Sequence, residues 1–303
     1  MGKTISEKIL AKASGCESVT AGEIVWAKVD RAMMDDILGP RVEISEKIKY
    51  LGDKIWDPDK VVIISDHYTP PASIKQAEIV KFTREWAKEY GVEKYFEFAG
   101  PCHQVMAETG NVIPGSIVLG TDSHTCMGGA LGAFATGVGS TEMLGVLATG
   151  QTWLKVPQTI KVTWSGQIPA GVMAKDMSLK TIGNIGHAGA TYKAVEYVGD
   201  AIHGLSMDER MAITNMAVEM GAKVGLMPTD EVTKEYLEKQ GIVDYPVYKS
   251  DEDAVFCGEY SYQAEELKPQ VACPHGVDQV TDAENVRNTV IHQAYLGSCT
   301  GGV

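Results

Sequence analysis

The sequence predicts an α/β protein, and three observations carry the prediction. Apolar runs of strand length end abruptly in polar residues. Val61-Val62-Ile63-Ile64-Ser65 runs into Asp66-His67, and Ser116-Ile117-Val118-Leu119 runs into Gly120-Thr121-Asp122-Ser123-His124-Thr125-Cys126. Capping boxes at Thr4-Ile5-Ser6-Glu7 and Ser73-Ile74-Lys75-Gln76 open helical periodicities nearby. Strand, turn, helix, strand is the grammar of packed α/β layers, and in such folds ligands sit beyond the carboxyl ends of the strands.

Taken in order, the first helix is expected from Thr4 to Gly15, where glycine stops it. Glu23 to Asp30 alternates enough for a strand. The helix opened at Ser73 carries Ile74, Ala77, Val80, Phe82 and Trp86 and ends at Gly91. Tyr95-Phe96-Glu97-Phe98 is a short strand leading into Gly100-Pro101-Cys102-His103. The seven glycines between 128 and 150 include Gly137-Val138-Gly139, which lacks the third glycine of the dinucleotide fingerprint. They are therefore read as sites of close packing, not as a phosphate cradle.

The texture changes at Val156-Pro157, where a second domain is expected to begin. Strands are expected at 159–164, 194–198 and 223–227. Helices are expected from Ser206 to Gly221 and from a Thr229 cap to near Gly241. The acidic stretch 244–269 reads as a linker, and Ala294-Tyr295-Leu296 as a last strand. The domains are thus 1–157, 158–260 and a stub over 261–303, whose tail beyond about 260 is expected to be mobile or packed against a neighbouring copy.

Composition narrows the function. The chain has 303 residues, 44% hydrophobic and 22% charged, with a net charge of −13, ordinary for a globular protein. The acidic balance argues against nucleic acid or an anionic membrane as the main partner. No apolar run approaches the roughly 18 residues of a membrane span. The six cysteines form no CxxC pair, and Met1-Gly2-Lys3-Thr4 leads into no signal-peptide core, so a reduced, cytoplasmic setting is expected.

Candidate chemistry sits at the strand ends. Three of them are each followed by a histidine, His67, His103 and His124, and two carry an aspartate, Asp66 and Asp122. Asp122 and His124, two apart on an extended backbone, would point to one side. A shared polar site explains this recurrence better than packing does. Glu196, inside the apolar run Ala194-Val195-Glu196-Tyr197-Val198, needs a partner or a function, because a buried carboxylate is costly alone. Asp122-Ser123-His124 holds the residue types of a serine triad, but chain neighbours cannot adopt its geometry and no GxSxG occurs. Three readings stay open: a metal-dependent hydrolase using Asp66, His67, His103, Asp122 and His124 as ligands, proton-transfer chemistry on carboxylate-tuned histidines, or a non-catalytic subunit.

GTDSHT with the following GALGAF-TGVGSTE, the Asp66-His67 strand end, Lys155-Val156-Pro157, the segment from Asn215 to Ala222, 267–271 and Gly297-Ser298-Cys299-Thr300 resemble the aconitase family, at its 3-isopropylmalate dehydratase and homoaconitase large subunits. The resemblance covers essentially the whole chain. It implies α/β/α domains around a 4Fe–4S cluster, two here plus the start of a third, and a separate small subunit closing over them. It implies a hydro-lyase of amino-acid (leucine) biosynthesis that moves the hydroxyl of a hydroxy di- or tricarboxylic acid to the neighbouring carbon. By position, His67 with Asp66 would be the acid near the departing hydroxyl, and His103, Asp122 and His124 would position it. Glu196 would pair with His124, and Cys299 would be one cluster ligand. The family has Asn and Arg soon after this cysteine and later a CxxC pair, whereas here Thr300-Gly301-Gly302-Val303 follow. The chain by itself is therefore expected to be truncated, without a cluster and inactive.

Overall fold

The computed structural model describes residues 2–299, Val42 by its backbone alone. Its helices are α1 (Ile5–Ser14), α2 (Val42–Lys47), α3 (Ile74–Glu89), α4 (Cys102–Glu108), α5 (Ser140–Thr149), α6 (Ala174–Ile185), α7 (Asp200–His203), α8 (Met207–Asn215) and α9 (Glu231–Glu238). The strands are β1 (Ile24–Lys28), β2 (Arg31–Met34), β3 (Val61–Ser65), β4 (Tyr95–Glu97), β5 (Ile117–Gly120), β6 (Phe134–Gly137), β7 (Gln151–Lys155), β8 (Thr159–Ser165), β9 (Ala194–Val198), β10 (Val224–Leu226), β11 (Gly258–Gln263), β12 (Gln270–Ala272) and β13 (Val280–Asp282). The α/β reading holds.

Two parallel sheets organise the chain. The first has the order β4-β3-β2-β5-β6 and the second β10-β9-β8-β11. In the first, β3 and β4 step away from β2 on one side while β5 and β6 step away on the other. The order reverses between β2 and β5, the crevice where doubly wound sheets bind ligands. β3 is buried at all five positions, as a central parallel strand covered on both faces requires. β1 and β7 pair outside this sheet as an antiparallel ribbon.

The expected caps form with small differences. Thr4 and Glu7 make the reciprocal box that starts α1. Ser73 accepts from Gln76 N, but the Gln76 amide oxygen accepts from Ala72 N, one residue earlier than a reciprocal box would have it. Ser206 and Glu209 close a box on α8, which continues as a 3-10 turn to Gly221 at φ 80°. The cap of α9 is Asp230, not Thr229. Its carboxylate accepts from Thr233 N and also takes a two-pronged bond from Arg210 at 2.7 Å on each oxygen.

The glycine-rich segment packs closely, as read. Residues 123–131 form a 3-10 turn wedged against α8 and β10. A methyl group on Gly129 would collide with the Gly225 carbonyl, and Gly129 O accepts from Met227 N at 3.0 Å. This wedge joins the two sheets.

Three expectations fail in the C-terminal part. The supposed linker contains β11, an edge strand on β8 with alternating exposure. Its inward positions, Gly258, Tyr260 and Tyr262, hide the alternation from a hydropathy reading. Residues 294–296 form no strand. The stretch from 264 to 286 is not a loose tail: β12 and β13 form a hairpin on α6, anchored by Gln270 N donating to Asp176 Oδ1 at 2.7 Å. From 287 to 299 the chain is irregular and mostly exposed. Thr300 to Val303, which carry the departure from the family motif, lie outside the described residues.

Candidate active site

The expected strand-end residues converge at the carboxyl edge of the first sheet. Asp66, His67, His103, Asp122, Ser123, His124 and Cys299 line one cavity of about 850 Å³. Each loop is tied by a carboxylate that also faces a histidine. Asp66 Oδ1 lies 2.8 Å from His67 Nδ1, and its Oδ2 accepts from Cys102 N at 2.6 Å, holding the start of α4. Asp122 caps the 3-10 turn by accepting from His124 N at 2.7 Å. The two side chains therefore meet through a turn and not through strand alternation, because the strand ends at Gly120.

Asp122 is the hub. Its Oδ1 is 3.4 Å from His103 Nδ1 and its Oδ2 is 3.7 Å from His67 Nε2. His67 thus sits between Asp66 and Asp122. The hydrogen bond to Asp66 outweighs partial burial and pushes the His67 pKa up to about 9. Burial works against a charged His103, which is 5% exposed, yet Asp122 and Cys299 prevail and raise it to about 9 as well. Burial would raise Asp122, but the His103 side chain outweighs it and holds Asp122 below the usual carboxylate range. Cys299 is treated likewise: His103 overrides burial and lowers the thiol.

Sequence reasoning missed three groups. Asp36, fully buried at the end of β2, accepts from His67 N and Tyr68 N, both at 3.1 Å, and fixes the turn that presents His67. Burial raises its pKa. Asn215 ends α8 and places Nδ2 3.2 Å from His103 Nε2, while its Oδ1 is buried without a partner. A half-turn of this amide sets the oxygen on Nε2–H, the arrangement a cationic His103 requires. Glu219 Oε1 is 3.4 Å from His124 Nε2.

Glu219 corrects the expectation for Glu196. Glu196 does not pair with His124 and does not line the cavity. It lies in β9, 2% exposed, and accepts from Ser250 Oγ at 2.6 Å. Ser250 Oγ in turn accepts from Ile5 N at 2.9 Å. Glu196 therefore fastens α1 and the loop around Ser250 to the second sheet, and burial raises its pKa.

The donors define what the cavity can hold. Cys102-His103-Asp122 and Asp36-Asp66-His67 each bring three donor atoms together. In both sets, however, donors are already engaged by backbone N–H groups or by each other. For an iron–sulfur cluster the described residues offer one thiol facing the cavity, Cys299. Cys102 and Cys126 are fully buried and their thiols are raised by burial, Cys126 to about 12. One thiolate does not make a cluster site, which needs cysteine ligands to most of its irons. No arginine or lysine is among the described lining residues. Arg84 pairs with Glu97, Arg210 with Asp230, and Arg31 with Asn111.

Comparison with known proteins agrees with this geometry. The family described as "Aconitase family (aconitate hydratase)" matches residues 7–298. "3-Isopropylmalate dehydratase large subunit 1" of Methanopyrus kandleri is 46% identical over 100% of this chain and 72% of its own length. "Probable methanogen homoaconitase large subunit" of Methanothermobacter thermautotrophicus is 45% identical over 98% of the chain and 71% of its own length. "3-Isopropylmalate dehydratase large subunit" of Sulfurihydrogenibium sp. is 44% identical over 100% and 70%. With the family matched over residues 7–298 and these relatives over essentially the whole chain, the chain belongs to the aconitase family.

Proposed function

We propose that the chain is the large-subunit part of a hydro-lyase that moves a hydroxyl between neighbouring carbons of a hydroxy di- or tricarboxylic acid, of the 3-isopropylmalate or homocitrate type. The observation that carries this is His67, held between Asp66 and Asp122 with a pKa of about 9 in a cavity shared with a second His–Asp pair. A hydroxyl leaves poorly unless it is protonated. His67 carries a proton at neutral pH, with Nδ1 held by Asp66 and Nε2 turned to the cavity. The hydroxyl leaves as water with this proton, the proton of the neighbouring carbon passes to a second base, and in the reverse direction Nε2 takes its proton back while that base returns the other. His103 and Asp122 hold the hydroxyl in place, Ser123 adds a hydroxyl at the cavity wall, and His124 is oriented by Glu219.

Members of the family use a 4Fe–4S cluster. Cys299, the one cavity thiol among the described residues, would be one ligand, and no step here is routed through a cluster that the described residues do not complete. A small subunit is the fitting partner, since the relatives are named as large subunits. A boundary near 157/158 and a cytoplasmic setting belong to the same proposal, whereas a boundary at 260/261 would cut β11, which pairs with β8 from Gly258 to Gln263. Among the described residues no helix is long and apolar enough to cross a membrane.

The test is to assemble the complete enzyme, its cluster ligands in place, with a candidate small subunit under anaerobic reconstitution and follow the unsaturated acid by absorbance. Turnover of isopropylmalate or homocitrate is expected. Folded, assembled protein that turns over neither contradicts the proposal. A metal-dependent hydrolase would instead carry a stoichiometric divalent ion on Asp36, Asp66 and His67 in freshly isolated protein, which elemental analysis detects.

A further inference from the structure

The 3-10 turn Met216–Met220 carries much of the site's support. Asn215, just before it, faces His103, and Glu219 within it faces His124. Short turns of this kind have poor hydrogen-bond geometry of their own, so the surroundings must hold this one in place. The segment 187–192, between α6 and β9, does so with three donors on three successive carbonyls. Ala190 N donates to Met220 O at 3.0 Å, and Tyr192 N to Gly221 O at 3.1 Å. The third donor is a side chain: His187 Nδ1 lies 3.1 Å from Glu219 O.

His187 is itself held. Its backbone N–H donates at 3.1 Å to Asp278 Oδ2, in the loop of the β12–β13 hairpin. Gly183, in the last turn of α6, lies so close to that hairpin that an added methyl group would stand 2.9 Å from Val280 Cβ. The ring is exposed, so burial does not demand its bond to Glu219. A carbonyl only accepts, so Nδ1 carries a proton whatever the charge of the ring. The chain of contacts Asp278–His187–Glu219 thus ends on His124 in the cavity. We propose that His187 is a positioning residue for the reaction: its Nδ1–H fixes the backbone at Glu219, and with it the carboxylate that orients His124. This rests on the hydro-lyase reading above and adds a residue outside the cavity that sets the rate.

Two variants and two readouts test it. His187→Ala loses the donor, whereas His187→Asn keeps an N–H that can take the place of Nδ1. In the complete enzyme with its small subunit, His187→Ala is expected to lower kcat about tenfold and to change KM less than about twofold, because a displaced supporting group acts on the reacting geometry more than on ground-state binding. His187→Asn should return kcat to within about threefold of the wild type. On the chain alone, proton and nitrogen NMR reads the His124 ring directly. Its Nε2 resonance should move in His187→Ala in the direction that Glu219→Gln moves it, and should stay in place in His187→Asn.

A His187→Ala enzyme that loses Tm but keeps its kcat, or keeps the His124 resonance of the wild type, overturns the proposal, because a merely structural histidine would behave so. A His187→Asn enzyme no faster than His187→Ala overturns it as well. None of these results touches the hydro-lyase reading. If the complete wild-type enzyme turns over no hydroxy acid, that reading fails, and the His124 resonance of the chain alone then decides whether His187 positions Glu219.

Discussion

The two sheets use the same parts for different ends. Both are parallel, both are fed by capped helices, and both carry carboxylates. In the first sheet the carboxylates stand just beyond the strands: Asp36 after β2 accepts from His67 N and Tyr68 N, Asp66 after β3 accepts from Cys102 N, and Asp122 after β5 accepts from His124 N of its own turn. There they are free to face a histidine and the cavity. In the second sheet Glu196 stands inside β9, and Arg210–Asp230 is a structural pair beside α8 and α9. The comparison teaches that position along the strand, more than residue type, decides whether a buried acid does chemistry or holds the fold.

Breaking the first sheet's site should cost activity far more than stability. His67→Ala in the complete enzyme is expected to lower kcat by about 10²–10⁴, the usual contribution of a general acid, with a loss of Tm limited to the stabilisation its pairing with Asp66 supplies. A loss below about tenfold would assign the proton to another group. Breaking the second sheet's pair should do the reverse. Asp230→Ala leaves Arg210, 1% exposed, charged and without its carboxylate, which typically costs about 3–5 kcal/mol. Urea unfolding reads this directly, and a change within experimental error would contradict a structural role.

Smaller effects sharpen the contrast. Asp66→Asn removes the main support of the His67 cation, so the alkaline limb of a kcat/KM profile should move to lower pH. The same pairs give a pH-dependent stability. His67 and His103 have folded pKa values near 9, above the ordinary value of about 6.5. Their stabilisation is therefore full below about pH 6.5 and lost as pH rises through 9. Glu196 has the smallest effect. Its folded pKa is raised by burial, so its ionised form opposes folding once pH exceeds the unfolded carboxyl value. Glu196→Gln should raise Tm at neutral pH, shrink that gain in acid and leave turnover unchanged, whereas Glu219→Gln should lower kcat.

Much of this was legible in the residues, for identifiable reasons. Asp66-His67 and the Asp122–His124 segment announce themselves because each ends an apolar run too short and too buried to be a helix. Glu196 also stands out, yet its partner is Ser250, 54 positions away, and no local pattern links the two. Glu219 reaches His124 only because the 123–131 wedge packs against α8, a contact set by tertiary structure. Asp36 was hidden because its strand, Arg31-Ala32-Met33-Met34, is four residues long and opens with a charge. A carboxylate pair directly before Ile37-Leu38-Gly39-Pro40 is the signal that could have found it.

The central claim is that two histidines at the ends of one sheet are held as cations by the aspartates beside them. Proton and nitrogen NMR of the histidine rings, followed against pH and assigned with His67→Gln and His103→Gln, measures this on the chain itself. The account predicts that His67 and His103 titrate near pH 9 and that Asp66→Asn moves His67 downward. Titration of both at about 6.5, unmoved by Asp66→Asn, would contradict it.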